Sequence, residues 1–334
     1  MTTLKDIAEI VNISTSTISR LLNNDPTLCV SESKRKEILD AVNKLGYESP
    51  KRSKKKFTNH LESTRSDKYQ EHDIVMINFL TPTQEIDDPY FTSIRAGIQN
   101  RCLEIGSNVT SLHLGQVSKN WGVIKKAPAV IAVGHYPNDI AHQLYQSNQN
   151  LSFVDSNPLG CSADAVIIDR VALSNEVMNN ILTVGCKRPA FIGNNEERLH
   201  IFRKVTIENN IYFSELCKVS KDYCIESGYQ AMKEILKTSP HPDVVYAATD
   251  MVAIGVYRAI YEFNLSIPDD IQVIGTNDIP SARHMNPSLT TVQLYPFEMG
   301  EIAVDLAIEK INGRAYSKTV LIGHKLIYRD SFSK

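Results

Sequence analysis

Leu4-Lys5-Asp6-Ile7-Ala8-Glu9-Ile10-Val11, Asn12-Ile13 and Ser14-Thr15-Ser16-Thr17-Ile18-Ser19-Arg20-Leu21-Leu22-Asn23 decide the fold of the amino-terminal part of this chain. Leu4, Ile7, Ala8 and Val11 recur at three- and four-residue spacing, which predicts an amphipathic helix. Thr3 precedes it with Asp6 three residues on, a capping-box pattern. Asn12 and Ile13 make a tight turn. Ser14 then caps a second helix over 15–23, whose apolar side is Ile18, Leu21 and Leu22 and whose polar side holds Thr15, Ser16, Ser19, Arg20 and Asn23. A short, hydroxyl-rich helix with one arginine, held across a tight turn, is the geometry that enters a DNA major groove. By spacing alone, a piece of an ordinary helical bundle explains the pattern equally well.

Working outward, a third helix is expected over 32–45, capped by Ser31 and ended by Gly46. Thr17-Ile18-Ser19-Arg20-Leu21-Leu22-Asn23, Val30-Ser31 and Ala41-Val42-Asn43-Lys44-Leu45-Gly46-Tyr47 together are dense and in register. This run resembles the DNA-binding headpiece of the LacI/GalR family of transcriptional regulators. The resemblance implies base contacts from Thr15, Ser16 and Arg20. Arginine can meet a guanine with two hydrogen bonds, and the Thr15 methyl can touch a thymine methyl. Ser14, Thr17, Ser19 and Asn23 are placed to bond phosphates, which position a protein without specifying sequence. Leu4 belongs to the same candidate interface.

The chain of 334 residues exceeds one core of usual size, so two or three domains are expected. Its net charge of −2 hides an asymmetry: residues 1–66 hold 12 Lys/Arg against 8 Asp/Glu, and the remainder is acidic. A basic head on an acidic body suits a DNA-binding arm on a module with another task. Lys51-Arg52-Ser53-Lys54-Lys55-Lys56 opens a polar stretch that reads as a linker, whose charges would also neutralise phosphates. No apolar run nears 18 residues, so no membrane partner is expected. The start, Met-Thr-Thr-Leu-Lys-Asp, lacks an apolar signal core, which predicts a cytoplasmic protein. The six cysteines form no Cys-x-x-Cys pair, so reduced thiols are expected rather than a metal or disulfides.

From Ile74 the pattern alternates between strand and helix. Ile74-Val75-Met76-Ile77, Val109-Thr110-Ser111-Leu112, Ala129-Val130-Ile131-Ala132-Val133 and Leu151-Ser152-Phe153-Val154 read as buried strands. Helices are expected between them, at 89–105 and 140–147. A second series of strands at 165–168, 190–193, 244–247 and 271–274 follows, with helices at 171–184, 199–209, 228–236 and 251–263. Alternation of this kind predicts parallel sheets covered by helices, here in two similar lobes. Ligands of such sheets sit beyond the carboxyl ends of the strands. The loops there are polar: Asp155-Ser156-Asn157, Gly193-Asn194-Asn195, Thr249-Asp250 and Gly275-Thr276-Asn277-Asp278. Short side chains with paired acceptors suit a hydroxyl-rich ligand, although Asp and Asn after strands also serve as helix caps.

The body resembles the same family through Asp88-Pro89-Tyr90-Phe91, Phe153-Val154-Asp155, Ala190-Phe191-Ile192-Gly193, Thr249-Asp250-Met251-Val252-Ala253-Ile254-Gly255, Ile267-Pro268-Asp269-Asp270-Ile271 and Pro287-Ser288-Leu289-Thr290-Thr291-Val292. Asn24-Asp25-Pro26-Thr27-Leu28 and Asn277-Asp278-Ile279-Pro280-Ser281-Ala282-Arg283 look most like the repressors of galactose and galactoside genes. The implied fold class is α/β: an all-α helix-turn-helix headpiece plus a periplasmic-binding-protein-like body of two Rossmann-like lobes with parallel sheets. The implied boundaries are 1–48 for the headpiece, 49–72 for the hinge and 73–334 for the body. Lobe one would take 73–168 and 293–318, and lobe two 169–292 and 319–330, with a final strand at 319–328. Sugar contacts would come from Tyr90, Phe91, His135, Asp155, Arg203, Tyr223, Thr249 and Asn277. Arg203, ten residues after Gly193, would grip two hydroxyls with its fork, and Tyr223 would stack on a sugar ring. Asn277 stands where the family has Asp, which alters the hydroxyl pattern accepted. The hinge departs further: Lys51-Arg52-Ser53-Lys54-Lys55-Lys56 replaces the family's Ala-Arg-x-Leu helix, and Phe57 or Leu61 serves equally well as an apolar wedge for a minor groove or as an apolar residue resting on the body.

These readings converge on a repressor that binds a palindromic double-stranded operator as a homodimer and is released by a small sugar. Control by a protein co-effector, or by a ligand other than a galactoside, is the alternative. Solute uptake fits poorly with the helix-turn-helix. Enzymatic chemistry is not expected: Asp155, Asp250 and Asp278 could be imagined as acid and base, but the chain has no phosphate loop, no Gly-x-Ser-x-Gly elbow, no metal-ligand spacing and no cofactor motif.

Overall fold

The computed structural model describes residues 4–11, 13–22, 34, 37, 38, 41, 42, 45, 73–220 and 222–332. The chain divides into two compact units, Met1–Asp67 and Lys68–Lys334.

In the first unit, α1 (Leu4–Val11) and α2 (Thr15–Leu22) are separated by a turn in which the Ile13 N–H donates to the Ala8 carbonyl at 3.2 Å. The stripe read from the sequence is the core: Ile7, Val11, Ile18 and Leu21 are buried with Ile38 and Ala41 of a third helical stretch. Ser14 begins α2 as expected, its Oγ accepting from the Thr17 N–H at 3.2 Å. Asn23, Ser31, Gly46, the basic run at 51–56, Phe57 and Leu61 lie outside the described residues, as does the Thr3 cap.

The body holds two six-stranded sheets. The first comprises β1 (Asp73–Asn78), β2 (Asn108–His113), β3 (Val130–Val133), β4 (Leu151–Val154), β5 (Asp164–Ile168) and β11 (Thr319–Ile322). Its order is β11-β5-β4-β3-β1-β2, parallel throughout. The second comprises β6 (Pro189–Gly193), β7 (Cys217–Val219), β8 (Val244–Ala247), β9 (Gln272–Asn277), β10 (Thr290–Gln293) and β12 (Lys325–Ile327), in the order β12-β10-β9-β8-β6-β7. Only β12 is antiparallel to its neighbour. Every residue of β3, β4, β6 and β8 is buried, because helices cover both faces of a parallel sheet.

The first lobe carries α3 (Pro82–Ile86), α4 (Pro89–Glu104), α5 (Val117–Lys126), α6 (Asn138–Ser147) and α11 (Pro296–Ile311). The second carries α7 (Arg170–Val184), α8 (Glu197–Glu208), α9 (Ile225–Leu236) and α10 (Asp250–Glu262). Helices α4 and α11 meet backbone to backbone at Gly97 and Gly300. A Cβ at Gly97 would lie 1.9 Å from the Phe297 carbonyl oxygen, and one at Gly300 2.2 Å from that of Ile94.

One expectation about connectivity needs correction. The stretch 319–328, expected as one strand of the second lobe, is two strands. Thr319–Ile322 pairs with β5 in the first sheet, and only Lys325–Ile327 joins the second, against β10. The third crossing therefore falls at Gly323-His324. The exposed edge of β5 is satisfied by the same chain before it leaves. Ala165–Ile168, at the head of the second series of strands by pattern, lies in the first sheet, within the 73–168 bounds expected of lobe one. The chain first crosses at Asp169, whose side chain accepts from the Ala172 N–H at 2.8 Å and starts α7.

Candidate functional site

The carboxyl ends of the strands in both lobes converge on a cleft that opens to solvent. The first lobe lines it with Asp88, Tyr90 and Phe91 from the start of α4, Asp155 after β4 and Ile168 at the end of β5; Leu294 follows β10. The second lobe contributes Arg170 from α7, Arg198 from α8, Tyr223 before α9, Thr249 and Met251 at α10, and Asn277 after β9.

Local chemistry fixes most of these positions. Asp88 caps α4, its Oδ1 accepting from the backbone N–H of Tyr90 at 3.0 Å and of Phe91 at 3.3 Å. Pro89 follows at the first helical position, where its missing donor costs nothing. Tyr90 and Phe91 are thereby set at the cleft floor, their rings edge-to-face at 5.1 Å. Asp155 and Asn277 adopt positive φ, 73° and 119°, which turns each side chain sharply off the strand it follows. Thr249 accepts from the Val252 N–H at 3.2 Å and caps α10.

The cleft holds a charged network. Asp155 Oδ1 accepts from the Tyr90 hydroxyl at 2.8 Å and from Arg170 Nη2 at 2.8 Å. Arg170 also donates to the Asp155 carbonyl at 2.9 Å, and its Nε lies 3.6 Å from Glu196 Oε2. Glu196 in turn pairs with Arg198, which donates to the Ala248 carbonyl as well. The Arg198 guanidinium lies 5.6 Å from the Tyr223 ring centroid. Burial works against ionisation of Glu196, but the attraction of Arg198 and then of Arg170 wins and lowers its pKa. At Asp88 burial outweighs the two backbone hydrogen bonds and raises the pKa. Two carboxylates, Asp88 and Asp155, line the cleft with two guanidiniums, Arg170 and Arg198, so no excess positive charge awaits an anion and a neutral, hydroxyl-bearing guest fits better.

Six sequence-predicted ligand residues line the cleft: Tyr90, Phe91, Asp155, Tyr223, Thr249 and Asn277. Arg203 and His135 do not. Arg203 sits beside Cys217 and Tyr212, because the five residues separating it from Arg198 rotate a helical side chain by about 140°. Arg198 occupies the place expected of Arg203. His135 is exposed on the loop after β3. Sequence reasoning missed Asp88, Ile168, Arg170, Arg198, Met251 and Leu294 as lining residues; each arginine lies in the first turn of a helix whose N-cap position is acidic, Asp169 before Arg170 and Glu196 two residues before Arg198.

Beneath the cleft, Asp250 is fully buried. Its Oδ2 accepts from the Ile279 N–H at 2.9 Å, and its Oδ1 accepts from the Thr291 hydroxyl at 2.6 Å. It braces the loop that carries Asn277. Gly275 is required beside it, since a Cβ there would lie 2.2 Å from Oδ1. Burial pushes the Asp250 pKa up to about 7. Asp250 thus binds its proton more tightly folded than unfolded. Its contribution to stability is complete below the ordinary carboxylate range and is lost as pH rises through about 7. Asp250→Asn keeps both contacts, with the amide donating to Thr291. Its melting temperature, measured by calorimetry, should gain on wild type between about pH 5 and about pH 8. Parallel pH profiles for the two proteins would refute this.

In the first unit, Ser14, Thr15 and Arg20 are exposed, while Leu4 and Thr17 are half-buried. Positions 15, 16, 19 and 20 all lie on α2. Among the described residues no cluster of His, Cys, Asp and Glu could hold a metal ion. No helix among them is long and apolar enough to cross a membrane.

Residues 3–49 match the model of bacterial regulatory proteins of the lacI family, and residues 179–332 match that of a periplasmic binding protein-like domain. The HTH-type transcriptional regulator GalR of Streptococcus thermophilus is 30% identical over 345 residues, covering 99% of each chain. The chain belongs to the LacI family. The HTH-type transcriptional repressor MelR of Bacillus subtilis is a further relative of this LacI-family protein, 28% identical over 346 residues, covering 99% of this chain and 97% of the repressor. Among solved structures, a transcriptional regulator CelR–cellobiose complex superposes with a TM-score of 0.71 at 21% identity, covering 99% of this chain and 100% of the other. That likeness confirms the two-lobed α/β fold.

Proposed function

We propose that this LacI-family protein is a sequence-specific repressor of sugar-utilisation genes, of galactose or galactosides in the first instance. It binds a palindromic operator as a homodimer and releases it when a small neutral sugar enters the cleft. One observation carries the reading: a cleft between two lobes presents acceptors (Asp155, Asp88), guanidinium donors (Arg170, Arg198) and aromatic rings (Tyr90, Phe91, Tyr223) within one chain that also holds a helix-turn-helix. Paired donors and acceptors satisfy the hydroxyls of a sugar, and rings cover its apolar face.

The coupling is thermodynamic. A sugar that prefers one lobe angle weakens operator binding by its differential affinity for the two states. Ser14, Thr15, Ser16, Thr17, Ser19, Arg20 and Asn23, with Leu4, form the proposed DNA-facing surface. Titrating galactose, lactose and melibiose against the protein bound to its own promoter duplex tests the reading. No change in affinity with any of them would remove the galactoside assignment, and no duplex binding at all would remove the repressor.

On this surface Arg20 reads a base while the hydroxyls position the helix. Arg20→Ala is expected to weaken operator binding by about 1–3 kcal/mol and to relax specificity at one base pair. Gel-shift competition with single-base operator variants measures both effects. A uniform loss across all variants would reassign Arg20 to a phosphate.

A further inference from the structure

We propose that Arg170 is an inter-lobe strut, the positioning residue that sets the angle between the lobes until a sugar takes over its partner. Arg170 begins α7 in the second lobe, immediately after the first crossing of the chain. It reaches back to grip Asp155 in the first lobe twice, through the carboxylate at 2.8 Å and the backbone carbonyl at 2.9 Å. On its other side Nε faces Glu196 of its own lobe at 3.6 Å and lacks a hydrogen-bond partner although buried. Side-chain exposures of 17% for Arg170 and 12% for Asp155 place this pair out of bulk solvent, where a charge-assisted contact is screened little.

The strut holds one oxygen of a carboxylate on which the proposed effector also draws. Asp155 Oδ1 accepts from Tyr90 and Arg170, so a sugar hydroxyl that donates to this oxygen competes with them, while one that donates to Oδ2 draws on the same carboxylate charge and weakens the Arg170 contact. Tyr90 is held in its own lobe by the α4 backbone. Arg170 is the member that spans lobes, so exchanging it for a sugar hydroxyl changes what fixes their angle. This inference rests on the cleft being the effector site, but the strut itself can be tested without any effector.

The test uses the full-length chain with Cys29→Ser, Cys224→Ser and Lys237→Cys, spin-labelled at exposed Cys161 in the first lobe and at exposed position 237 in the second. Labelled protomers are diluted with unlabelled ones, and the inter-label distance is read by pulsed dipolar spectroscopy without sugar. Arg170→Gln should give a longer and broader distribution than wild type; Asp155→Asn, which keeps the backbone carbonyl contact, should give a smaller change in the same direction, and the double variant no more than Arg170→Gln alone. An unchanged distribution in a folded Arg170→Gln protein overturns the strut. So does a double variant whose distribution is broader than that of Arg170→Gln alone, since Arg170 would then not act through Asp155. Sugar-free operator affinity is measured on the same proteins and should shift by about fivefold or more. Altered distances with unaltered operator affinity would keep the strut and sink the lobe-to-operator coupling of the proposed function.

Discussion

Arg314→Ala should cost about 3–5 kcal/mol of stability, among the largest effects of any single substitution in the body. Arg314 and Asp164 form a two-pronged pair, Nη1 to Oδ1 at 2.9 Å and Nη2 to Oδ2 at 2.5 Å, with side chains 6% and 0% exposed. Arg314 also donates to the Leu306 carbonyl at 3.0 Å, at the end of α11, and pairs with Glu309 at 2.8 Å. Asp164 opens β5 and accepts from the Lys318 N–H at 2.7 Å, one residue before β11. The pair therefore clamps the turn between α11 and β11 onto the sheet. Removing the arginine strands a buried carboxylate, whose desolvation is no longer offset. Urea unfolding should show the transition midpoint falling with its slope unchanged. The double variant Arg314→Met with Asp164→Leu removes both charges and should recover most of the loss. A single-variant cost below about 1 kcal/mol would show that the pair behaves as a solvated surface contact.

Arg198→Ala should weaken sugar binding by about 2–5 kcal/mol, enough to erase induction at ordinary sugar concentrations. Arg198 is 5% exposed, pairs with Glu196, donates to the Ala248 carbonyl and lies against the Tyr223 ring. Its loss removes a fork-shaped donor from the cleft and leaves Glu196 facing Arg170 alone. Freed Glu196 would then draw Arg170 away from Asp155, disturbing the cleft twice. Calorimetric titration of the variant with galactose or melibiose reads the effect. Arg203→Ala, on the far side of α8, should bind as wild type does. Equal losses in both variants would mean that folding of α8, not sugar contact, is being measured.

The sequence made some of this legible and hid the rest for identifiable reasons. The apolar strands β3 and β4 and the helices α1 and α2 were plain because every residue in them obeys one periodicity. Edge strand β7 was not, because Cys217–Val219 is short and only half-buried, so no apolar run marks it. Tyr90, Phe91 and Asp155 could be placed because capping and strand-end rules fix them locally. Arg198 could not be told from Arg203, because both follow β6 on one helix and only the rotation of α8 against the sheet selects between them.

The order of residues determined by itself the two-unit plan, the hydrophobic stripe that closes the headpiece, the parallel α/β body and the polar loops at the strand ends. Each follows from short-range periodicity and capping, which act within about one or two helical turns. Tertiary structure alone decided that Thr319–Ile322 closes the first sheet, that Arg170 crosses to Asp155, and that Arg314 buries itself against Asp164 150 residues away. Those pairings depend on which strand edges and which charges remain unsatisfied once both lobes have packed. No local pattern in the chain carries that information.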